Sequence, residues 1–261
     1  MNARAGNQSS PIETSEDAAL GGRLVLRQPV RGHRFGHDAI LLAAATSASA
    51  GEHAVELGAG VGAAGLALVQ RVAGLTVTLV EIDPVLAGLA RNNAERNGFA
   101  ERVHAVCLDV AAPASAFAAA GIAAGTADCV LMNPPFNAAD NPSPEAARRR
   151  AHITSDDALR QWVRTAARLL RPAGALTLIW RADGLAEVLA ALTSGFGAVS
   201  LLPVFGKPEA PAIRILVRAT KGSRAPLTLH PGLLLADAEG RPTDAAQAVM
   251  RRGVTLSLSK S

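Results

Sequence analysis

From residue 53 onward, short apolar runs rich in β-branched residues alternate with longer Ala- and Leu-rich stretches whose apolar positions recur at helical spacing. HAVEL (53–57) leads into a helix ending near Arg71, and LTVTLVEID leads into a second helix from Pro84 to about Asn97. RVHAVCLDV, ADCVLMN and GALTLIW are further strand candidates. That alternation specifies a mostly parallel sheet with helices on both faces. The punctuation agrees. Asp83-Pro84 puts a capping acid before a proline at the first helical position, and Asn97-Gly98 supplies a C-terminal stop. In SDDALRQWVRTAARLLRPAG, Leu159, Trp162, Val163, Ala166, Leu169 and Leu170 mark one face of a helix that should end before Pro172. GAVSLLPVF and AIRILVRAT are joined by too short a segment for a crossover helix, so they should pair antiparallel. Ahead of the sheet, an extended or hairpin segment should lead into a helix capped by Asp38; after it come short strands and a small helix.

Composition sets limits on this picture. A chain of 261 residues with 49% hydrophobic and 18% charged residues buries one sizeable core. The expected division is a flexible N-terminus (1–20), a hairpin and helix (21–50), a main domain (51–220) and a packed extension (221–261). The first residues lack an apolar run of signal length, and no membrane-spanning stretch follows, so the expected location is the cytoplasm. Cys107 and Cys129 lie in strand-like runs and read as small core hydrophobes, with no metal site expected. A net charge of +4 suits a polyanionic partner without requiring one, and 3% aromatic residues disfavour a broad base-stacking platform.

Two motifs carry chemistry. Glu56-Leu57-Gly58-Ala59-Gly60-Val61-Gly62 stands between a strand and a helix, where glycines let the backbone turn sharply and approach a ligand. Gly60 to Gly65 also satisfies the dinucleotide pattern, but an acid such as Glu56 would repel a pyrophosphate and suits a cationic amino-acid moiety, which favours S-adenosylmethionine. Glu81 closes the second strand, where a carboxylate can accept from ribose hydroxyls; Ile82 offers an apolar face to an adenine. Asp109 and Val110 follow the third strand, with Asp109 placed either to accept from an adenine amino group or to cap the helix after it. The second motif, Asn133-Pro134-Pro135-Phe136, follows the fourth strand at the carboxyl edge of the sheet. A conjugated NH2 is a poor nucleophile because its lone pair is delocalised. The Asn133 side-chain oxygen and the Pro134 carbonyl would hold its two hydrogens and aim the lone pair at a methyl donor, with Phe136 stacked on the planar ring.

On these residues the chain resembles the class I methyltransferases with an NPPF motif. FGHDAILLAA (35–44), ELGAGVG, VEID, NAERNG (93–98), MNPPFN and KGSRAPLTLHPG are similar to bacterial adenine-N6 methyltransferases of valine tRNA. The resemblance implies a Rossmann-like, seven-stranded, mostly parallel α/β sheet with the last strand antiparallel. It also implies S-adenosylmethionine as cofactor, with S-adenosylhomocysteine as product, and Phe35, Gly36 and Asp38 closing over the methionine end. Basic clusters flank the expected cleft: Arg31 and Arg34; Arg148, Arg149 and Arg150; and Lys207, Arg214 and Lys221. Such groups steer phosphates, so RNA, specifically tRNA, is the expected partner. A protein glutamine side chain or a guanine N2 in rRNA would fit the same NPPF site, and a non-catalytic RNA-binding module is the third class. The oligomeric state is left open.

Overall fold

The computed structural model describes residues 12–32, 34–135, 155–193 and 195–258. Its main sheet is built from β3 (His53–Leu57), β4 (Thr76–Glu81), β5 (Val103–Cys107), β6 (Ala127–Met132), β7 (Leu170–Arg181), β8 (Phe196–Phe205) and β9 (Ala212–Lys221). Two short strands, β10 (Thr228–Leu229) and β11 (Leu233–Leu234), both lie parallel to the edge of β8. The order runs β10-β8-β9-β7-β6-β3-β4-β5, with β9 antiparallel to β7 and β8 and every other pair parallel. This is the expected α/β architecture, with nine strands where seven were expected. The chain leaves β3 toward β4 on one side and returns as β6 on the other. That reversal opens a crevice at the carboxyl ends of β3 and β6, where a ligand can enter.

Helices cover both faces. On one lie α1 (His37–Ala45), α2 (Ala63–Arg71) and α3 (Pro84–Arg96), together with the final helix α7 (Asp244–Arg252). On the other lie α4 (Ala114–Ala119), α5 (Ser155–Leu169) and α6 (Leu185–Leu192). In α1 every residue from Ile40 to Ala45 is buried, because the helix is wrapped by the sheet, α2, α7 and the end of the chain, where Leu256 N–H donates to Ala44 O. None of the helices among the described residues is long and apolar enough to cross a membrane.

Four local expectations are corrected. Asp38 does not cap α1: Gly36 occupies the cap position, and Asp38, inside the first turn, pairs with Arg214. α5 ends at Leu169, before Pro172 as expected, but Leu170, expected on the helix face, already opens β7, and Pro172 and Gly174 sit in a bulge inside that strand; Ala127 faces Leu170 while Cys129 faces Ala175. Within the N-terminal segment expected to be flexible, β1 (Thr14–Ala19) pairs antiparallel along its whole length with β2 (Leu24–Pro29). Ala19, Leu20, Leu24 and Leu26 anchor this hairpin in the core. Cys129 is buried as expected, with burial pushing its thiol up to about 12, but Cys107 ends its strand and is exposed.

The NAERNG phrase explains why the hairpin stays in place. Asn93 is fully buried on α3; its Oδ1 accepts from Arg27 N, and its Nδ2 donates to Arg27 O and Val61 O. Asn97 repeats the pattern on Val25, whose N–H it receives at 3.0 Å and whose carbonyl it contacts at 2.8 Å. Two side chains thus satisfy the outward backbone of β2 as another strand would, and Asn93 ties the hairpin to the glycine loop.

Candidate functional site

The loop after β3 folds over the crevice because its glycines adopt left-handed backbone: Gly58 has φ +68, Gly60 +56 and Gly62 +86. At Gly58 the need is doubled, since a β-carbon there would come within 2.4 Å of the Trp162 ring on α5. Ala59 N–H donates to Val80 O, and Gly60 N–H donates to Glu81 Oε2 at 2.7 Å, fastening the loop to β4. Beneath it opens a cavity of about 440 Å³. Its walls bring together Phe35, Gly36, Asp38, Glu56, Gly58, Ala59, Gly60 and Asn133, all anticipated from the sequence. Ile213 and Arg214 from β9, and Leu235 after β11, complete it.

Glu56 is the buried acid of this cavity. Its Oε2 accepts from Gly65 N at 2.7 Å in the first turn of α2. Burial, aided by the nearby Glu81 carboxylate and opposed by the Gly65 N–H, pushes its pKa up to about 8. The folded protein therefore holds a proton on Glu56 at pH values where the unfolded chain, near 4.5, has released it. Raising pH removes this contribution, so stability should fall from about 4.5 upward and level off above about 8. Thermal melts across this window should slope downward for the native protein and much less for Glu56→Gln; parallel slopes would remove Glu56 as the cause. A cationic ligand reverses the preference, because it favours the carboxylate and expels the proton.

Glu81 is buried at the end of β4, with Oε2 on Gly60 N and Oε1 on Asp83 N. Each carboxylate oxygen has a second lone pair to offer a ligand hydroxyl. Ile82 is 40% exposed beside it. Asp109 does not cap the next helix, whose cap position is Pro113; its Oδ1 accepts from Ala111 N at 2.8 Å within its own turn, and Val110 is buried under α5, where Thr165 donates to its carbonyl. Gly62, Glu81, Ile82, Asp109 and Val110 do not line the cavity; all but Gly62 extend the same sheet edge past β4 and β5.

Asn133 stands one residue past β6, and its Oδ1 is buried with no hydrogen-bond partner among the described residues. Buried amide oxygens are nearly always paired, and this one lies in the cavity wall, where a ligand's N–H could reach it. Pro134 is buried and Pro135 exposed. Phe136 and Arg148, Arg149 and Arg150 lie outside the described residues.

At the entrance, Phe35 N–H donates to Gln28 Oε1, and Gln28 Nε2 donates to Asp17 Oδ2. Arg34, expected to face RNA, is committed inward: it contacts Asp17 Oδ2 at 2.8 Å, Ser15 Oγ and the Pro29 carbonyl. Arg31 and Lys207 are exposed, Lys207 on the β8–β9 connection at the carboxyl edge. Lys221 is misplaced for the expected role. Because β9 runs against its neighbours, Lys221 emerges at the opposite end of the sheet, where Nζ donates to Leu170 O at 2.6 Å. Trp162 against the glycine loop was readable only as a core position, and the Asp38–Arg214 contact had no sequence signal, since 176 positions separate the partners.

A family model described as "Methyltransferase small domain" matches residues 35–204. A tRNA1(Val) (adenine(37)-N6)-methyltransferase of Porphyromonas gingivalis is 31% identical over 159 residues, 59% of this chain and 61% of that protein. The match therefore spans less than two thirds of that relative. A release factor glutamine methyltransferase of Gloeobacter violaceus is 34% identical over 144 residues, covering 49% of this chain and 46% of that one. Among solved structures, a predicted O-methyltransferase from Agrobacterium tumefaciens aligns with a TM-score of 0.71 at 30% identity, over 84% of this chain and 98% of the other.

Proposed function

Since the chain belongs to the methyltransferase small domain family, we propose that it is an S-adenosylmethionine-dependent enzyme that methylates the exocyclic amino group of adenine in tRNA, near the anticodon. The observation that carries this reading is the orphaned Asn133 Oδ1 at the mouth of β6, in the same cavity as the glycine loop and Glu56. The residues fit the cofactor: a loop turned by three left-handed glycines, a buried acid for a cationic amino-acid end, and Glu81 with Ile82 further along the edge for a nucleoside. Phe35, Gly36 and Asp38, held by the hairpin, cover the methionine end. When bound there, S-adenosylmethionine supplies an electrophilic methyl group on a sulfonium and leaves as S-adenosylhomocysteine.

What the protein contributes is position. Asn133 Oδ1 and the Pro134 carbonyl accept the two amino hydrogens, which turns the nitrogen lone pair out of conjugation with the ring. Phe136 is assigned to stack on the base, and Arg31 and Lys207 to meet phosphates around it. Nitrogen is favoured over oxygen as the target, despite the description of the Agrobacterium relative, because a hydroxyl must lose its proton to attack and an asparagine amide is no base. A cytoplasmic location follows from a tRNA substrate.

The Gloeobacter relative favours a second reading, a glutamine side chain in a protein, which presents the same planar NH2 to the same acceptors. One experiment separates them. The purified protein is incubated with labelled S-adenosylmethionine and either total bacterial tRNA or a release-factor peptide, followed by nucleoside and amino-acid analysis. Label in N6-methyladenosine is the expected result. Label confined to glutamine, or to guanosine, would replace the adenine assignment.

A further inference from the structure

We propose that Arg214, aimed by Asp38, anchors the α-carboxylate of the methyl donor's amino-acid end. This rests on reading the cavity as the S-adenosylmethionine site. Arg214 opens β9 and Asp38 lies in the first turn of α1, two elements brought together only by the fold. Arg214 Nε contacts Asp38 Oδ2 at 2.8 Å, and Nη1 contacts the Ile213 carbonyl at 3.0 Å. The guanidinium is therefore held in one orientation from two directions. Both side chains are mostly shielded, 31% and 23% exposed, and both line the cavity with Glu56, Gly58 and Asn133.

The charges of this corner match a zwitterion. Two arginines line the cavity: Arg34, which is paired with Asp17 of the hairpin, and Arg214, which stands with the two acids of the lining, Asp38 and Glu56. An α-amino acid brings a carboxylate for the cation and an ammonium for the acids. An RNA phosphate brings only negative charge, with no ammonium to offset Asp38 and Glu56. Phosphates have more accessible partners in Arg31 and Lys207, both exposed, Lys207 at the carboxyl edge of the sheet. Arg214 thus leaves the set of nucleic-acid contacts expected from its charge and joins the cofactor site. Guanidinium is suited to this role because its fork of N–H donors matches a carboxylate.

The test deletes the interaction from either side. Affinities for S-adenosylmethionine and for its decarboxylated analogue are measured by calorimetry on the native protein and on Arg214→Gln. Arg214→Gln should weaken S-adenosylmethionine by roughly ten- to a hundredfold, the loss of a charge-assisted hydrogen-bonded contact. The decarboxylated analogue should change by less than about threefold, the coupling expected when the missing carboxylate is the partner. Arg214→Lys, which keeps the charge and loses the fork, should fall between. Equal losses for both ligands would overturn the assignment and make Arg214 a structural residue; unchanged cofactor affinity with weakened tRNA binding would return it to the phosphate contacts. If Arg214→Gln does not fold, the same pair of titrations on Arg214→Lys and Asp38→Asn decides by the same criterion. A native protein that binds neither ligand would fail the parent reading of the cavity itself, a result distinct from binding without discrimination.

Discussion

Replacing Asn133 by Ala is expected to lower the rate of methyl transfer to tRNA by about 10²–10³-fold, while affinity for S-adenosylmethionine stays within about threefold. The asymmetry follows from where the amide oxygen stands. It is buried, lines the cavity and has no partner among the described residues, so none of them depends on it. On the proposed assignment its contribution falls on the incoming NH2, while the cofactor meets the glycine loop and the acids. A second consequence separates this residue from a structural one. Removing a buried acceptor that lacks a donor relieves a desolvation cost, so the melting temperature of Asn133→Ala should be unchanged or higher. Asn133→Asp keeps an acceptor in place but adds a charge beside Glu56, and it should recover only part of the rate. Single-turnover transfer, calorimetry and thermal melting together test the claim. An equal loss of transfer and cofactor affinity, or a marked drop in stability, would strip Asn133 of the proposed role.

How much of this was readable beforehand depended on whether the controlling interaction was local. The parallel strands were legible because β3, β4 and β6 are buried on both faces and so read as unbroken apolar runs. The glycine loop was legible because its left-handed residues are consecutive in function and close in sequence. Asp83 was legible as a cap since a cap bonds two and three residues away, and its Oδ1 does accept from Val85 and Leu86. Asp38 looked like a cap by the same logic and is not one, because its competing partner, Arg214, arrives from the far end of the chain. Basic residues were the least legible. Charge can be counted in a sequence, but which sheet edge it decorates depends on strand direction: the reversal of β9 puts Arg214 in the cavity and Lys221 at the opposite end. Asn93 and Asn97 show the same limit from the other side. Their helix was plain, yet their bonds run to a hairpin 66 and 72 positions away.

The second large effect is expected at Gly65, where two contributions of opposite sign compete. Gly65 lies within α2, and replacing a helical glycine by alanine ordinarily stabilises by about 1 kcal/mol. Here the new β-carbon would stand 2.5 Å from Leu79 Cδ2, 2.7 Å from Glu56 Oε2 and 3.1 Å from Val77 Cγ1. Leu79 and Val77 are fully buried in β4, so neither can move aside without disturbing the sheet. If Glu56 moves instead, its oxygen leaves the Gly65 N–H, and a buried carboxyl group loses its backbone donor. Overpacking costs about 1–3 kcal/mol and an unpaired buried polar group about the same again. The clash therefore outweighs propensity, and Gly65→Ala should destabilise the protein by about 2–4 kcal/mol net. It should also weaken the cofactor, since Glu56 and the loop share the cavity wall. Gly88 supplies the control: it too is helical, in α3, and a β-carbon there meets nothing within 4 Å. Gly88→Ala should follow propensity alone and gain up to about 1 kcal/mol. Denaturant unfolding of the two variants measures the difference directly. Equal stability would mean that the wall behind Glu56 yields easily, and the rigid placement of that carboxyl group would have to be abandoned.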